Sequence, residues 1–178
     1  SMFIFSSSMN VYGQVDDEKI SEENSLNPTS FYGVGKLASE GYIRIYAQLG
    51  LKATILRLFN IYGPGQNMSN LKQGMLSIYC SYVVQNKPII IRGSIDRFRD
   101  FVYIDDAIEA LEKSIESNDD LGIYNVCSGI RTTVEEAVEV IAKMFDQPNY
   151  PRLITSGTPG DQFGIYGNNE RIKKGLNW

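Results

Sequence analysis

Two short, largely apolar runs do most to fix what this chain can become. Phe3-Ile-Phe-Ser6 and Ala53-Thr-Ile-Leu-Arg-Leu-Phe59 are short and rich in β-formers. Neither shows the polar alternation of a strand with one wet face, so both read as strands covered on both sides. Residues 32–49 lie between them and read as a helix, with Tyr32, Leu37, Tyr42, Ile45, Tyr46 and Leu49 as its apolar face and Gly50 at its stop. The alternation continues. A helix is expected over 69–85, capped by Ser69 or Asn70, then a strand over 88–92 and an extended segment over 101–103. A helix over 106–117 capped by Asp105 and a strand over 123–126 follow. Thr132 with Glu135 fits a capping box, and Val134, Ala137, Val138, Ile141 and Phe145 follow at helical spacing. Strands over 152–155 and 163–166 and a short helix over 169–175 close the chain, while residues 12–31 read as a surface loop and Asn60–Gly65 as a turn. Strands alternating with helices predict an α/β fold with mostly parallel strands. A length of 178 residues suits one ordinary domain.

Composition narrows the chemistry. The chain has no histidine, which excludes a Ser-His-Asp triad, a Cys-His pair and any His-bearing zinc site. Acid–base work near neutral pH must fall to Tyr, Lys, Asp, Glu or Cys. Net charge is −4 and no basic run exceeds Lys173-Lys174, so nucleic acid is not expected as a partner. No apolar run approaches the roughly 20 residues of a membrane span, and no signal peptide is expected. Cys80 and Cys127 form no CxxC and read as buried thiols of a cytoplasmic protein. Asp105-Asp106 is placed at a helix start and Asp119-Asp120 in a polar loop, so no metal site is expected.

The spacing that carries chemistry is Tyr32-Gly-Val-Gly-Lys36. Residues four apart on a helix share a face, and an ammonium beside a phenol favours the tyrosinate form. Such a Tyr can take a proton from a sugar hydroxyl. The plainer alternative is an incidental pair on a solvated helix. Ser6-Ser7-Ser8 ends the first strand and is followed by Met9-Asn10-Val11-Tyr12-Gly13. Hydroxyls at the carboxyl end of a parallel strand face the crevice where such sheets bind ligands. Arg57-Leu-Phe-Asn60-Ile-Tyr62-Gly63-Pro64 ends the second strand in the same way. Arg99-Asp100-Phe101-Val102-Tyr103-Ile-Asp105-Asp106, Tyr124-Asn125-Val-Cys-Ser-Gly129 and Pro159-Gly160-Asp161 come later.

Taken together and in this order, these motifs resemble the extended short-chain dehydrogenase/reductase family, in its nucleotide-sugar epimerase/dehydratase branch, over essentially residues 3–178. The resemblance implies the second half of a Rossmann-like parallel sheet with a smaller C-terminal α/β substrate-binding part. Residues 1–62 would belong to the dinucleotide-binding domain and 63–178 mainly to the substrate part, with about 94–126 returning to the sheet. It implies NAD as cofactor, a nucleotide sugar as substrate and a homodimer built on helices that include residues 37–49 and 71–84. By the same resemblance Ser8, Tyr32 and Lys36 are catalytic, and Ser6, Tyr32, Lys36 and Phe59 meet the cofactor. Asn10 would meet the substrate, and Asn60 would approach its sugar diphosphate, as would Asn70 and Leu71 at a helix start. Ile89 to Arg92 would flank the base, Arg99 would grip the diphosphate and Asp161 the ribose.

The departures are as informative. Thr158 stands where the family has a second diphosphate Arg, and Arg92 where some members stack an aromatic ring on the base. No GxxGxxG follows an opening strand, so the family's first half is missing and Ser1-Met2 reads as the start of a cut chain. Sugar 4,6-dehydratases carry Asp-Glu after the catalytic hydroxyl and decarboxylating members a Glu, whereas this chain has Met9 and Asn10. What remains is reversible oxidation at a sugar carbon, best matched by a UDP-hexose 4-epimerase. A nucleotide-sugar reductase, or a piece that binds nucleotide sugar without turnover, stands as the alternative.

Overall fold

A computed structural model describes residues 2–15, 19–71, 74–117, 119–157 and 162–178. Strand β1 (Met2–Ser8) runs into one 3-10 turn (Met9–Val11), followed by β2 (Lys19–Ile20), α1 (Phe31–Gln48), β3 (Lys52–Leu58) and β4 (Asn60–Tyr62). Then come α2 (Met75–Val84), β5 (Ile89–Arg92), β6 (Phe98–Arg99), β7 (Phe101–Tyr103), α3 (Ile104–Ile115) and β8 (Leu121–Val126). The chain continues with β9 (Thr132–Thr133), α4 (Val134–Met144), β10 (Arg152–Thr155), β11 (Gly164–Gly167) and α5 (Glu170–Leu176).

The fold is α/β, as the apolar runs predict. Strands β1, β3 and β8 form a parallel sheet in the order β1-β3-β8. Ile55 and Leu56 point to opposite faces and both are fully buried, which is why the run lacks alternation. On one face α1 packs Ile43 against Ala53, Ile55 and Phe5. On the other, Leu56, Tyr124 and Val126 meet Ala107 and Ala110 of α3 and Ile172 and Leu176 of α5. The register sets Ser8 beside Leu58 and Leu58 beside Val126, so the three carboxyl ends finish in one row. A second core joins α2 and α4 to β5, through Tyr79, Val83, Ile89, Ile91, Val138 and Ile141. Strand β5 pairs in parallel with β10, and β2, β11, β6 and β9 form a small mixed sheet.

Several local expectations are corrected. Of the α1 residues expected to face the core, Leu37 packs there, whereas Tyr32, Tyr42, Ile45, Tyr46 and Leu49 point outward, with Tyr42 68% and Leu49 77% exposed. The packed stripe is Gly33, Leu37, Glu40 and Ile43, because Glu40 finds a buried cation in the sheet. Helix α2 starts at Met75 and not near residue 69, since Asn67 closes a local turn by accepting from the Ser69 and Asn70 N–H groups and Gly74 adopts a left-handed φ of 82°. The α4 capping box is Thr133 with Glu136, one position later than expected. Helix α3 begins at Ile104 with extended Tyr103 as its N-cap, leaving Asp105 and Asp106 in the first turn, where their charge suits the dipole. Asn60–Tyr62 is a strand paired with Phe101–Tyr103, and not a turn. Loop 12–31 includes β2.

Candidate active site

The site is built where β1 ends and α1 begins. Ser8 leaves the strand with extended backbone and caps the 3-10 turn. Its hydroxyl accepts from the Asn10 N–H at 3.3 Å and from Asn10 Nδ2 at 3.2 Å. A hydroxyl that accepts twice keeps its own O–H to donate. Helix α1 is opened by Ser30, whose side chain accepts from the Gly33 N–H at 3.1 Å. Gly33 then lets the helix settle on the turn, because a Cβ there would lie 2.5 Å from the Asn10 carbonyl oxygen. This contact seats the first turn of α1, which carries Tyr32, against Asn10. Lys36, one turn on, donates from Nζ to the Ser6 carbonyl at 2.6 Å. Its ammonium lies 4.9 Å from the Phe5 ring centroid and 5.6 Å from that of Tyr32. Tyr32 is 56% exposed, so its phenol is open to a ligand. The structure therefore joins Ser6, Ser8, Asn10, Tyr32 and Lys36 at one sheet edge.

Beneath them lies a polar network that sequence reasoning missed. Ser7, Arg57 and Asn125 stand in one row across β1, β3 and β8. Arg57 and Glu40 are both 0% exposed. Arg57 donates from Nε to Glu40 Oε1 at 3.0 Å and from Nη2 to Oε2 at 2.8 Å, and the Ser7 hydroxyl donates to Oε1 at 2.6 Å. Arg57 Nη1 also reaches the Tyr12 hydroxyl at 2.9 Å, and that hydroxyl donates to Asn125 Oδ1 at 2.6 Å. Burial works against the Arg57 charge, but the bonds to Glu40 and Tyr12 outweigh it and hold its pKa above the usual arginine value. Burial pushes the Tyr12 phenol up to about 12, although Arg57 pulls the other way. The signals were an arginine inside an apolar strand run and a glutamate four residues after Lys36.

The remaining expected residues are spread wider. Asn60 Nδ2 and its backbone N–H both donate to the Asp100 carbonyl, at 2.9 and 3.1 Å. With Gly74, Met75 and Phe101, Asn60 lines a cavity of about 190 Å³. Asp100 itself, 0% exposed, accepts from Ser128 N–H and Oγ, Gly129 N–H and Gly167 N–H, all between 2.7 and 3.1 Å. Burial nonetheless holds its carboxyl above the usual range, the hydrogen bonds acting against that rise. Asn70 and Leu71 sit in the loop before α2 and not at a helix start. Phe59 is buried in the core, where a Cβ on Gly167 would meet its ring at 2.8 Å. Ile89 is fully buried in the second core, while Arg92 is exposed at the end of β5. Arg99 donates to the carbonyls of Phe98, Gln162 and Phe163 at 2.7, 3.0 and 3.2 Å. Asp161 and Thr158 lie outside the described residues.

A family model for the NAD dependent epimerase/dehydratase family matches residues 1–127. The chain belongs to this family. Among curated members it is 37% identical over 137 residues to the dTDP-4-dehydro-6-deoxyglucose reductase of Escherichia coli, covering 76% of this chain and 43% of that protein. It is 34% identical over 132 residues to a putative UDP-glucose 4-epimerase of Methanocaldococcus jannaschii, covering 74% and 42%. The UDP-glucose 4-epimerase of Thermotoga maritima, solved with UDP-glucose, superposes with a TM-score of 0.92 at 28% identity over 99% of this chain and 57% of that one. This epimerase/dehydratase chain thus spans about half the length of the proteins it matches. Its relatives include both epimerases and reductases of nucleotide sugars. Among the described residues, no helix is long and apolar enough to cross a membrane.

Proposed function

We propose that the full-length protein epimerises a UDP-hexose at C4, with NAD as cofactor. The observation that carries this reading is the Tyr32–Lys36 pair, its ammonium held at the Ser6 carbonyl at the exit of β1, with Ser8, Met9 and Asn10 following in the chain. By the resemblance, loss of water goes with carboxyl groups at both the Met9 and Asn10 positions and loss of carbon dioxide with one at the second. The sheet edge suits the cofactor's nicotinamide half. Lys36 presents an ammonium at the Ser6 carbonyl, and Tyr32 is open. Lys36, Ser6 and Tyr32 would hold the group, whereas the Phe59 ring is enclosed in the core and offers it no surface. When bound, NAD supplies a reversible acceptor for the hydrogen on the sugar carbon.

The chain's own residues do the rest. Tyr32 is the base that takes the proton of the sugar hydroxyl, with the Lys36 ammonium 5.6 Å from its ring centroid. Ser8 donates its free O–H to the same sugar oxygen. Arg99 would exchange two backbone carbonyls for phosphate oxygens, since charged bidentate pairs are stronger than bonds to neutral carbonyls. The diphosphate stays anchored while the oxidised sugar turns, and Tyr32 returns the proton to the other epimer. The exposed apolar side of α1 supports a homodimer, and two unpaired cysteines support a cytoplasmic setting.

The 37% identity to the E. coli reductase favours a second reading, in which Tyr32 only donates a proton to a keto-sugar oxygen. One experiment separates them. Full-length protein is incubated with UDP-glucose and UDP-N-acetylglucosamine without added reductant, and the sugar protons are followed by NMR. Appearance of the galacto epimer is expected. No change with either, together with consumption of NADPH on a keto sugar nucleotide, would replace the epimerase reading by the reductase one.

A further inference from the structure

Three consecutive serines end β1, and each has a different task. The Ser6 carbonyl takes Lys36 Nζ at 2.6 Å, the Ser7 hydroxyl donates to Glu40 Oε1 at 2.6 Å, and the Ser8 hydroxyl accepts from Asn10. Tyr32, Lys36 and Glu40 are spaced one turn apart along α1 and so form one stripe. The strand end therefore grips this stripe at two successive turns, which fixes both the rotation of the helix and its height along β1. Glu40 is in turn fixed to the sheet, because Arg57 of β3 engages both its oxygens. Ser7 and Arg57 are register partners on adjacent strands, so the grip spans two strands and the helix.

A buried ion pair is a poor way simply to glue a helix to a sheet. Well-packed apolar side chains of similar volume often stabilise as much or more. What the pair adds here is a single allowed register. It also keeps the Glu40 carboxylate occupied. A free carboxylate four residues after Lys36 would be that ammonium's natural partner and would draw it away from Tyr32. With both its oxygens taken by Arg57, Lys36 stays at the Ser6 carbonyl.

We propose that Ser7, Glu40 and Arg57 are positioning residues of the Tyr32–Lys36 site, a clasp that holds the phenol and the Ser8 hydroxyl to one sugar oxygen. The proposal rests on the reading of Tyr32 as the base. Removing Glu40 or Arg57 would strand a buried charge and endanger folding, so the test is made at Ser7, which leaves the ion pair intact. Full-length wild type, Ser7→Ala, Ser7→Thr and Tyr32→Phe are compared on UDP-glucose. Amide hydrogen exchange over residues 31–36 and the melting temperature are measured alongside.

Ser7→Ala is expected to lower kcat by about 10- to 100-fold, the scale of a small misplacement of reacting groups. KM and melting temperature should change little, and exchange over the first turns of α1 should quicken. Ser7→Thr, which keeps the hydroxyl, should recover most of kcat. Tyr32→Phe should cost about 100- to 10,000-fold. If Ser7→Ala keeps wild-type kcat and exchange while Tyr32→Phe is inactive, the clasp is overturned and the catalytic reading stands. A loss in Ser7→Ala that tracks a fall in melting temperature, with no recovery in Ser7→Thr, also overturns it. If Tyr32→Phe is as active as wild type, the catalytic reading fails and the positioning role falls with it. The exchange data then report separately on whether Ser7 holds the helix.

Discussion

Tyr12 shows how one buried hydroxyl ties the network to pH. It is 1% exposed, donates to Asn125 and accepts from Arg57. Its phenol is raised from 10.0 to about 12, chiefly by burial. A raised folded pKa means the protonated form is favoured in the fold. The stability this gives is fully present below about pH 10, the unfolded value, and is lost as pH climbs through about 12. Tyr12→Phe should therefore lose stability at neutral pH, by about 1–3 kcal/mol, because the Arg57 N–H and Asn125 oxygen lose a partner. It should also show a shallower decline between about pH 10 and 12. Urea unfolding across that range checks both, and equal slopes in variant and wild type would contradict the assignment. Little of this was legible beforehand. Arg57 stood in plain view within an apolar run, but which acid and which phenol would meet it depends on strand register, and register follows from long-range pairing.

Helix α1 carries three glycines in two kinds of neighbourhood. At Gly33 a Cβ would press on the Asn10 carbonyl oxygen at 2.5 Å and on Pro28 Cβ at 2.9 Å, while Gly35 and Gly41 have nothing within 4 Å. Gly33→Ala must lift the helix from the turn that holds Ser8, at an expected cost of about 1–3 kcal/mol. Gly35→Ala meets no obstacle and should raise stability by about 0.5–1 kcal/mol through helix propensity. Thermal melts of the two variants should move in opposite directions, and a destabilised Gly35→Ala would show that propensity is not what governs that position. Elements were the most readable level of this chain. The apolar runs became β1 and β3, and the Tyr-Lys spacing landed on a helix as expected. Boundaries failed where two local solutions compete. Thr132–Glu135 and Thr133–Glu136 fit a capping box equally on paper, and strand pairing of β9 with β6 decides for the second. Asn67 took the N–H groups that would have opened α2 early.

At the scale of the whole molecule, what sequence periodicity could not decide was which face of α1 is inside. The helix has two apolar stripes. One, with Gly33, Leu37 and Ile43, rests on the sheet, and the other shows Tyr42, Ile45, Tyr46 and Leu49 at 57 to 77% exposure. Both satisfy the same spacing rule, and the Glu40–Arg57 pair, with the Ser6–Lys36 and Ser7–Glu40 bonds, draws its own stripe inward. The outer stripe then has four large apolar side chains on one helix. A patch of that size on a folded surface marks an interface. A twofold partner is the economical cover, because a self-complementary helix face pairs with its own copy. Sedimentation of the full-length protein should accordingly show a dimer. Tyr42→Glu with Tyr46→Glu should give a monomer with unchanged circular dichroism, since neither side chain supports the core of its own chain. A variant that remains dimeric would place the interface elsewhere, and one that unfolds would mean that this stripe is covered by residues of its own chain. Either result would take the proposed partner away from the outer side of α1, the helix that carries Tyr32.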